Sequence, residues 1–254
     1  YKDGRFDERL FPFDAVPRVI GAEQWAQLER GLVQRVDALN AYLRDLHSDA
    51  RIIRDGVIPE HFAYASSGYL PQCEHIMPPK GIYSHISGID LVEGEDGEWY
   101  VLEDNLRIPS GASYPLVARG LCRRCDADTF RNAPLVDNRD YGARLREVVD
   151  YVNCGGINVV LTPGRYNSAY FEHAYLAEQI GAVLAEAGEL FVEDEVLYYR
   201  DATRNTRVGA VYRRLSDEFL DPLCFLPESL IGVPNLMAAY RAGNVAILNA
   251  PGNG

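Results

Sequence analysis

Lysine is almost missing from this chain: of its 25 basic residues only Lys2 and Lys80 are lysines, and the rest are arginines. Basic charge as a whole is short, since 37 acidic residues leave a formal net charge of −12. That balance argues against non-specific binding to nucleic acid or to anionic membranes, both of which need basic patches. Long apolar runs are missing too. None approaches the length that spans a bilayer, and no signal-peptide pattern is visible. Paired cysteines are also lacking. Cys73, Cys122, Cys125, Cys154 and Cys224 form an odd set at irregular spacing. Such a set reads as reduced thiols, and the expected location is the cytoplasm. Cys122 and Cys125 have CxxC spacing, but a zinc site needs a second such pair or a nearby histidine pair, and the sequence has neither. The plain reading is two thiols on a helix or loop.

What is present suits a folded protein. The chain has 254 residues, 47% hydrophobic and 24% charged, enough for one large domain or two ordinary ones with a sizeable core. It begins at Tyr1 without Met and stops on "NAPGNG", so part of a longer protein is expected. Residues 22–46 repeat apolar side chains at helical spacing, from Trp25 through Leu28, Leu32, Val36, Leu39 and Leu43 to Leu46. This predicts an amphipathic helix packed on a core. Before it, "RLFPFDAVPRVI" reads as extended, and after it the chain is broken by Pro and Gly into loops and short elements. One helix, "DYGARLREVVDYV", is expected between residues 112 and 150 or just beyond.

The C-terminal part alternates. "INVVLTPG" is a buried strand and turn, and "NSAYFEHAYLAEQIGAVLAEAG" a helix capped by Asn167 or Ser168 and ended by Gly188. "ELFVEDEVLYYR" is a hairpin, "VGAVYRRL" a buried strand, and "PNLMAAYRAGNVAILNAPG" a helix followed by a strand. Alternating strands and helices predict an α/β fold with a doubly wound sheet.

Residues 88–111, "GIDLVEGEDGEWYVLEDNLRIPSG", carry seven acidic side chains in what reads as two strands and a turn. Period-two alternation puts Glu103 and Asn105 on one face and Asp104 on the other. If Asp96-Gly97 forms a two-residue turn, Asp90 lies directly opposite Glu103. Like charges so placed destabilise a sheet. Two carboxylates and an amide oxygen form a hard, oxygen-only set suited to Mg²⁺ or Mn²⁺, and Mg²⁺ commonly shares its shell with substrate phosphates. A solvated acidic hairpin accounts for the same residues equally well. For Glu93, Glu95, Asp96 and Glu98 the solvated reading is preferred.

The spacing D-x12-E-x-N resembles the metal-binding signature of ATP-grasp ligases. The chain as a whole is similar to one branch, the circularly permuted ATP-grasp proteins related to glutathionylspermidine synthase. "FPFDAVPRVI", "RIIRDGVIP", "HISGIDLV", "YVLEDNLRIPSGASY", "LTPGRYNSAYFEHAYLA", "YRRLSDEFLDPL" and "AYRAGNVAILNAPGNG" carry the resemblance in order along nearly the whole chain. It implies an ATP-grasp metal-binding lobe over residues 1–133 and a Rossmann-like substrate domain over 134–254. It implies ATP and Mg²⁺ as cofactors, with Asp90, Glu103 and Asn105 as the metal and cofactor contacts. The implied reaction phosphorylates a small-molecule or peptide carboxylate and lets an amine attack the acyl phosphate. Many ATP-grasp ligases carry an Arg two residues before the first metal Asp. Here that position is Gly88, and Arg107 is the candidate replacement as catalytic cation. The family's phosphate-reaching lysines have no match in Lys2 or Lys80, so a second lobe beyond "NAPGNG" is expected to supply them. A non-catalytic nucleotide-binding scaffold and a phosphotransferase that stops at the phosphorylated acceptor are the rival readings.

Further candidates follow buried strands. Arg213 and Arg214 are placed either to grip a substrate carboxylate or to pair with Asp217, Glu218 or Asp221. Arg165, Tyr166, Asn167 and Ser168 lead into a helix N-terminus, a natural anion site, and are second-rank substrate contacts. His85 and His173 read as structural. "APGNG" could wrap a phosphate through backbone N–H groups.

Overall fold

In the computed structural model, residues 13–14 and 16–254 are described. Lys2 and, of the "RLFPFDAVPRVI" stretch, residues 9–12 and 15 lie outside them. The first helix, α1 (Ala22–Leu46), spans the predicted residues. Its packing differs from expectation. Only Leu43 and Leu46 are buried, Leu28, Leu32, Val36 and Leu39 are half-buried, and Trp25 is exposed. The helix lies beside a thin two-stranded hairpin rather than a closed core. Two short helices follow, α2 (Arg51–Arg54) and α3 (Glu60–Tyr64).

The acidic segment forms that antiparallel hairpin, β1 (Gly88–Glu93) with β2 (Trp99–Asn105). Two unforeseen helices come next, α4 (Ser113–Cys125) and α5 (Ala127–Asn132). Pro115 sits in the first turn of α4, where a missing N–H is harmless, and the Asp126 carboxylate caps α5 by accepting from Thr129 N. The expected helix is α6 (Tyr141–Val152).

The rest is a six-stranded mixed sheet. Its strands are β3 (Ile157–Leu161), β4 (Val183–Ala185), β5 (Leu190–Glu193), β6 (Val196–Arg200), β7 (Asn205–Arg213) and β8 (Ala246–Leu248). Between them lie α7 (Tyr170–Ile180), α8 (Asp217–Leu220) and α9 (Leu236–Arg241). β4, β3, β7 and β8 run parallel in that spatial order, and the β5–β6 hairpin joins the start of β7 in antiparallel fashion. α6 and α7 cover one face through Leu145, Val149, Leu176 and Ile180 packed on Val160, Ala210 and Leu248. The β5–β6 hairpin, α8 and α9 cover the other, where Leu197, Leu220 and Met237 meet Val159, Leu161 and Ile247. A sheet buried on both faces needs continuous apolar strands, which "INVVL" and "AIL" supply. Leu70 and Ile76 from before the hairpin pack onto the second of these cores, and Ile82 and Ile86 onto the first.

One predicted element splits. The helix expected to reach Gly188 ends at Ile180, where Gly181 adopts φ 67° and "VLA" becomes β4. A short apolar run cannot be assigned to helix or strand by period alone, and the glycine read as helical is the terminator. Gly181→Ala should therefore cost about 1–2 kcal/mol, the penalty of a Cβ in the left-handed region. A thermal melt should show Tm lower by roughly 2–8 °C; an unchanged Tm would contradict this cap.

Candidate cation-binding face and its cleft

The register puts Asp90 opposite Glu103 and Gly88 opposite Asn105, as expected. The route to it differs. The turn is longer than two residues, with Gly94 N donating to Glu98 O, and near it Leu91 faces Val101 and Glu93 faces Trp99. A bulge after Asp90 shifts the register by one residue and restores the predicted pairing at the base.

The two faces of the hairpin treat their charges differently. On the α1 side, Arg35 grips Asp104 with both arms, at 2.7 and 2.5 Å. Glu93, near the turn, pairs with Arg18 and accepts from Gln24 at 3.3 Å. On the open side, Asp90, Glu103 and Asn105 are exposed, and none makes a side-chain hydrogen bond or ion pair among the described residues. Two opposed carboxylates without a counter-charge fit a bound cation. Among the described residues no three His, Cys, Asp or Glu side chains stand close enough to hold a metal ion; the third oxygen of this set is an amide.

A cleft of about 290 Å³ borders the same face. Ser66, Ser67 and Gly68 form one wall, the end of β2 and Arg107 another, and Asn253 and Gly254 a third. Gly68 and Gly254 touch so closely that a Cβ on Gly68 would lie 1.7 Å from the Gly254 carbonyl oxygen. Arg107 is half-buried, unpaired among the described residues, and close enough to Arg213 for the two charges to oppose each other. Ser66–Gly68 had no sequence signal, because their loop meets the rest of the cleft only in the fold; Asn253 and Gly254 belong to the "APGNG" loop that the sequence marks as able to wrap a phosphate.

Arg213 and Arg214 are consumed internally, which replaces the expected substrate grip. Arg213 is 0% exposed and pairs with Asp217 at 2.9 Å, one of the partners the sequence allows. It also donates to the carbonyls of Asn249, Leu215 and Ala250 at 2.9, 3.1 and 3.2 Å. Arg214 pairs with Glu172 at 3.2 Å, not with the acids that follow it, and donates to Pro109 O at 2.7 Å. Glu172 is buried and also accepts from Gly111 N, Ser113 N and Ser113 Oγ. It was passed over because its partners sit far away in sequence.

Arg165, Tyr166, Asn167 and Ser168 are exposed in the loop between β3 and α7. Arg165 lies over the Tyr166 ring and donates to its hydroxyl at 3.1 Å, and Asn167 Oδ1 accepts from Ala169 N. The "APGNG" loop is itself held: Ala250 N donates to Tyr83 O and Gly252 N to Asp217 Oδ1, while His47 Nε2 bonds Gly252 O. His173 shares a 2.9 Å hydrogen bond with Thr162 Oγ1.

The circularly permuted ATP-grasp type 2 family model matches residues 17–254. An uncharacterised protein of Synechocystis sp. is 45% identical over 258 residues, covering 100% of this chain and 54% of its own length. One from Mycobacterium tuberculosis is 45% identical over 253 residues, covering 97% and 46%. A Frankia alni protein bearing the provisional name glutamate–cysteine ligase 2-3 is 38% identical over 257 residues, covering 99% and 30%. The chain belongs to the circularly permuted ATP-grasp type 2 family. It spans about half the length of the first of these relatives and less of the last. No helix among the described residues is long and apolar enough to cross a membrane.

Burial pushes the His85 and His173 imidazoles down to about 4, with Arg214 adding to the effect on His173. The unfolded chain takes up these protons near pH 6.5 while the folded one refuses them until about pH 4. Stability should therefore fall as pH drops through that window. His173→Gln should flatten the fall in urea midpoint between about pH 6.5 and 4, whatever it does to stability at pH 7; an unchanged slope would refute the assignment.

Proposed function

We propose that this chain forms the metal-holding and substrate-holding part of an ATP- and Mg²⁺-dependent carboxylate–amine ligase. The observation that carries the reading is the unpaired Asp90–Glu103 couple beside Asn105, at the mouth of a cleft that also holds the unpaired Arg107. Asp104 and Glu93 on the α1 side of the hairpin both have arginine partners, whereas the open face, like the turn acids Glu95, Asp96 and Glu98, has none.

In this reading Asp90, Glu103 and Asn105 hold Mg²⁺, or Mn²⁺ in its place. When bound, the ion supplies charge neutralisation on the nucleotide phosphates as the γ-phosphoryl group moves. Arg107 offers a guanidinium to the oxyanion of the carboxylate being phosphorylated. Arg213 and Arg214 act as scaffold, and residues 165–168 remain candidate contacts for the substrate carboxylate or its attached peptide. We read the parallel sheet and its helices as the Rossmann-like domain, with the boundary near residue 133. The provisional name of the Frankia relative supports an amino-acid or peptide carboxylate more than it supports a polyamine amine. The free thiols support a cytoplasmic setting.

One second reading is a nucleotide-binding scaffold without chemistry. ADP release in the presence of Mg²⁺, stimulated by an amine, separates ligase from scaffold. Hydroxylamine capture of an acyl phosphate with no amide product from any amine would instead indicate a phosphotransferase.

Asp90→Asn and Glu103→Gln should each weaken Mn²⁺ binding, read by the loss of the free-ion electron paramagnetic resonance signal. Each should also raise the metal-free Tm, since removing a like-charge cross-strand pair returns about 0.2–1 kcal/mol. Unaltered Mn²⁺ affinity in both would end the metal assignment. Arg107→Ala should keep Mn²⁺ affinity but slow acyl-phosphate formation by about 10²–10³-fold, the usual effect of losing one oxyanion donor. Full-rate hydroxamate formation by this variant would remove Arg107 from the chemistry.

A further inference from the structure

We infer that Asn249 is a positioning residue for the cation-binding face of the hairpin; this role rests on reading Asp90 and Glu103 as the metal pair. Asn249 follows β8 directly, in the other lobe, and is 2% exposed. Its Oδ1 accepts from His85 N at 2.7 Å and Ile86 N at 2.9 Å. Its Nδ2 donates to Ile86 O at 2.6 Å and Leu106 O at 2.7 Å. The full capacity of one amide group is thus used on the two ends of one hairpin. His85 and Ile86 lead into β1, and Leu106 is bonded covalently to Asn105.

The hairpin needs such a fastening at its base. In a simple hairpin the turn sets the register of both strands. Here the bulge after Asp90 breaks the register coming from the turn, so the pairing of Asp90 with Glu103 does not follow from turn geometry. A slip of one residue would turn the carboxylates toward opposite faces. Asn249 joins the segments on either side of that base and sets their separation. Its own place is set by Arg213, whose Nε donates to the Asn249 carbonyl. The parallel sheet therefore dictates where the hairpin's open face begins.

The test is Mn²⁺ binding, followed by paramagnetic resonance on the chain, with folding checked by circular dichroism at the same temperature. Asn249→Ala should weaken Mn²⁺ by about tenfold or more, the usual effect of removing a group that orients metal ligands. Leu176→Ala, a cavity variant in the core between α7 and the sheet, should lose stability with Mn²⁺ affinity unchanged. Folded Asn249→Ala binding Mn²⁺ as the wild type does, or Leu176→Ala weakening it equally, would overturn the role. In the wild-type chain, Mn²⁺ should slow hydrogen exchange at the His85 and Ile86 amides. Exchange there unaffected by Mn²⁺ would overturn the role even if Asn249→Ala does not fold. Mn²⁺ affinity unaltered by both Asp90→Asn and Glu103→Gln would instead remove the underlying metal reading, and this role with it.

Discussion

A fully buried guanidinium organises this molecule. Arg213 ends β7, carries no exposed surface and meets one carboxylate and three main-chain carbonyls. Taking a charge out of water costs several kcal/mol unless its geometry is well satisfied. Burial here pushes the pKa of the Arg213 guanidinium down, with Asp217 working in the opposite direction. Two of the three carbonyls it holds belong to Asn249 and Ala250, so the shape of the loop after β8 is tied to the burial of one charge. That loop then reaches the hairpin through Asn249, Ala250 and Asn253. The chain thus transmits position from a rigid parallel sheet to a two-stranded hairpin that could not hold itself, since an isolated hairpin is marginal in water.

Arg214 does the same one residue further on, on another side. Through Glu172 it fastens the turn that leaves β2 and opens α4, at Gly111 and Ser113. Successive residues of an extended chain point in opposite directions, so two adjacent arginines can serve two separate junctions. A buried acid that accepts from two backbone N–H groups, a hydroxyl and a guanidinium has its oxygens well satisfied. Both junctions join residues far apart in the chain.

That separation decides what the sequence revealed. Local signals sufficed for α1, α6 and the strands β3, β5 to β8, because apolar period and turn residues lie within a dozen positions of each other. They failed at β4, where Gly181 inside an apolar run marked a helix end, and at α4, which has no counterpart among the predicted elements. The pairing of Asp90 with Glu103 was legible, yet for a reason the structure revises: a longer turn and a bulge offset one another. For Arg213 the internal pairing with Asp217 was one of the two readings the sequence allowed, whereas the pairing of Arg214 with the distant Glu172 was not legible, because it is made only by the whole fold. The cleft wall at Ser66–Gly68 carries no local pattern, whereas Asn253–Gly254 lie in the Gly-rich "APGNG" loop, and only contact across the chain makes the two walls neighbours.

The scarcity of lysine has a physical counterpart in these junctions. An ammonium is a compact point charge, strongly hydrated, whereas a guanidinium offers five donors in a plane and sheds water more readily. Arg213 distributes its donors over four acceptors, and Arg35 holds Asp104 with two arms; lysine could reproduce neither geometry. Arginine used in this way also leaves a pattern of charges behind. Arg18, Arg35, Arg213 and Arg214 are each committed to one of Glu93, Asp104, Asp217 and Glu172. Among the described residues Asp90 and Glu103 on the open face and Arg107 at the exit have no ion-pair partner, and neither do Glu95 and Glu98 at the turn. Glu103 and Arg107 both line the cleft, with Asp90 paired across from Glu103, so the local field there has both signs, the condition under which a cation and an anionic group bind side by side.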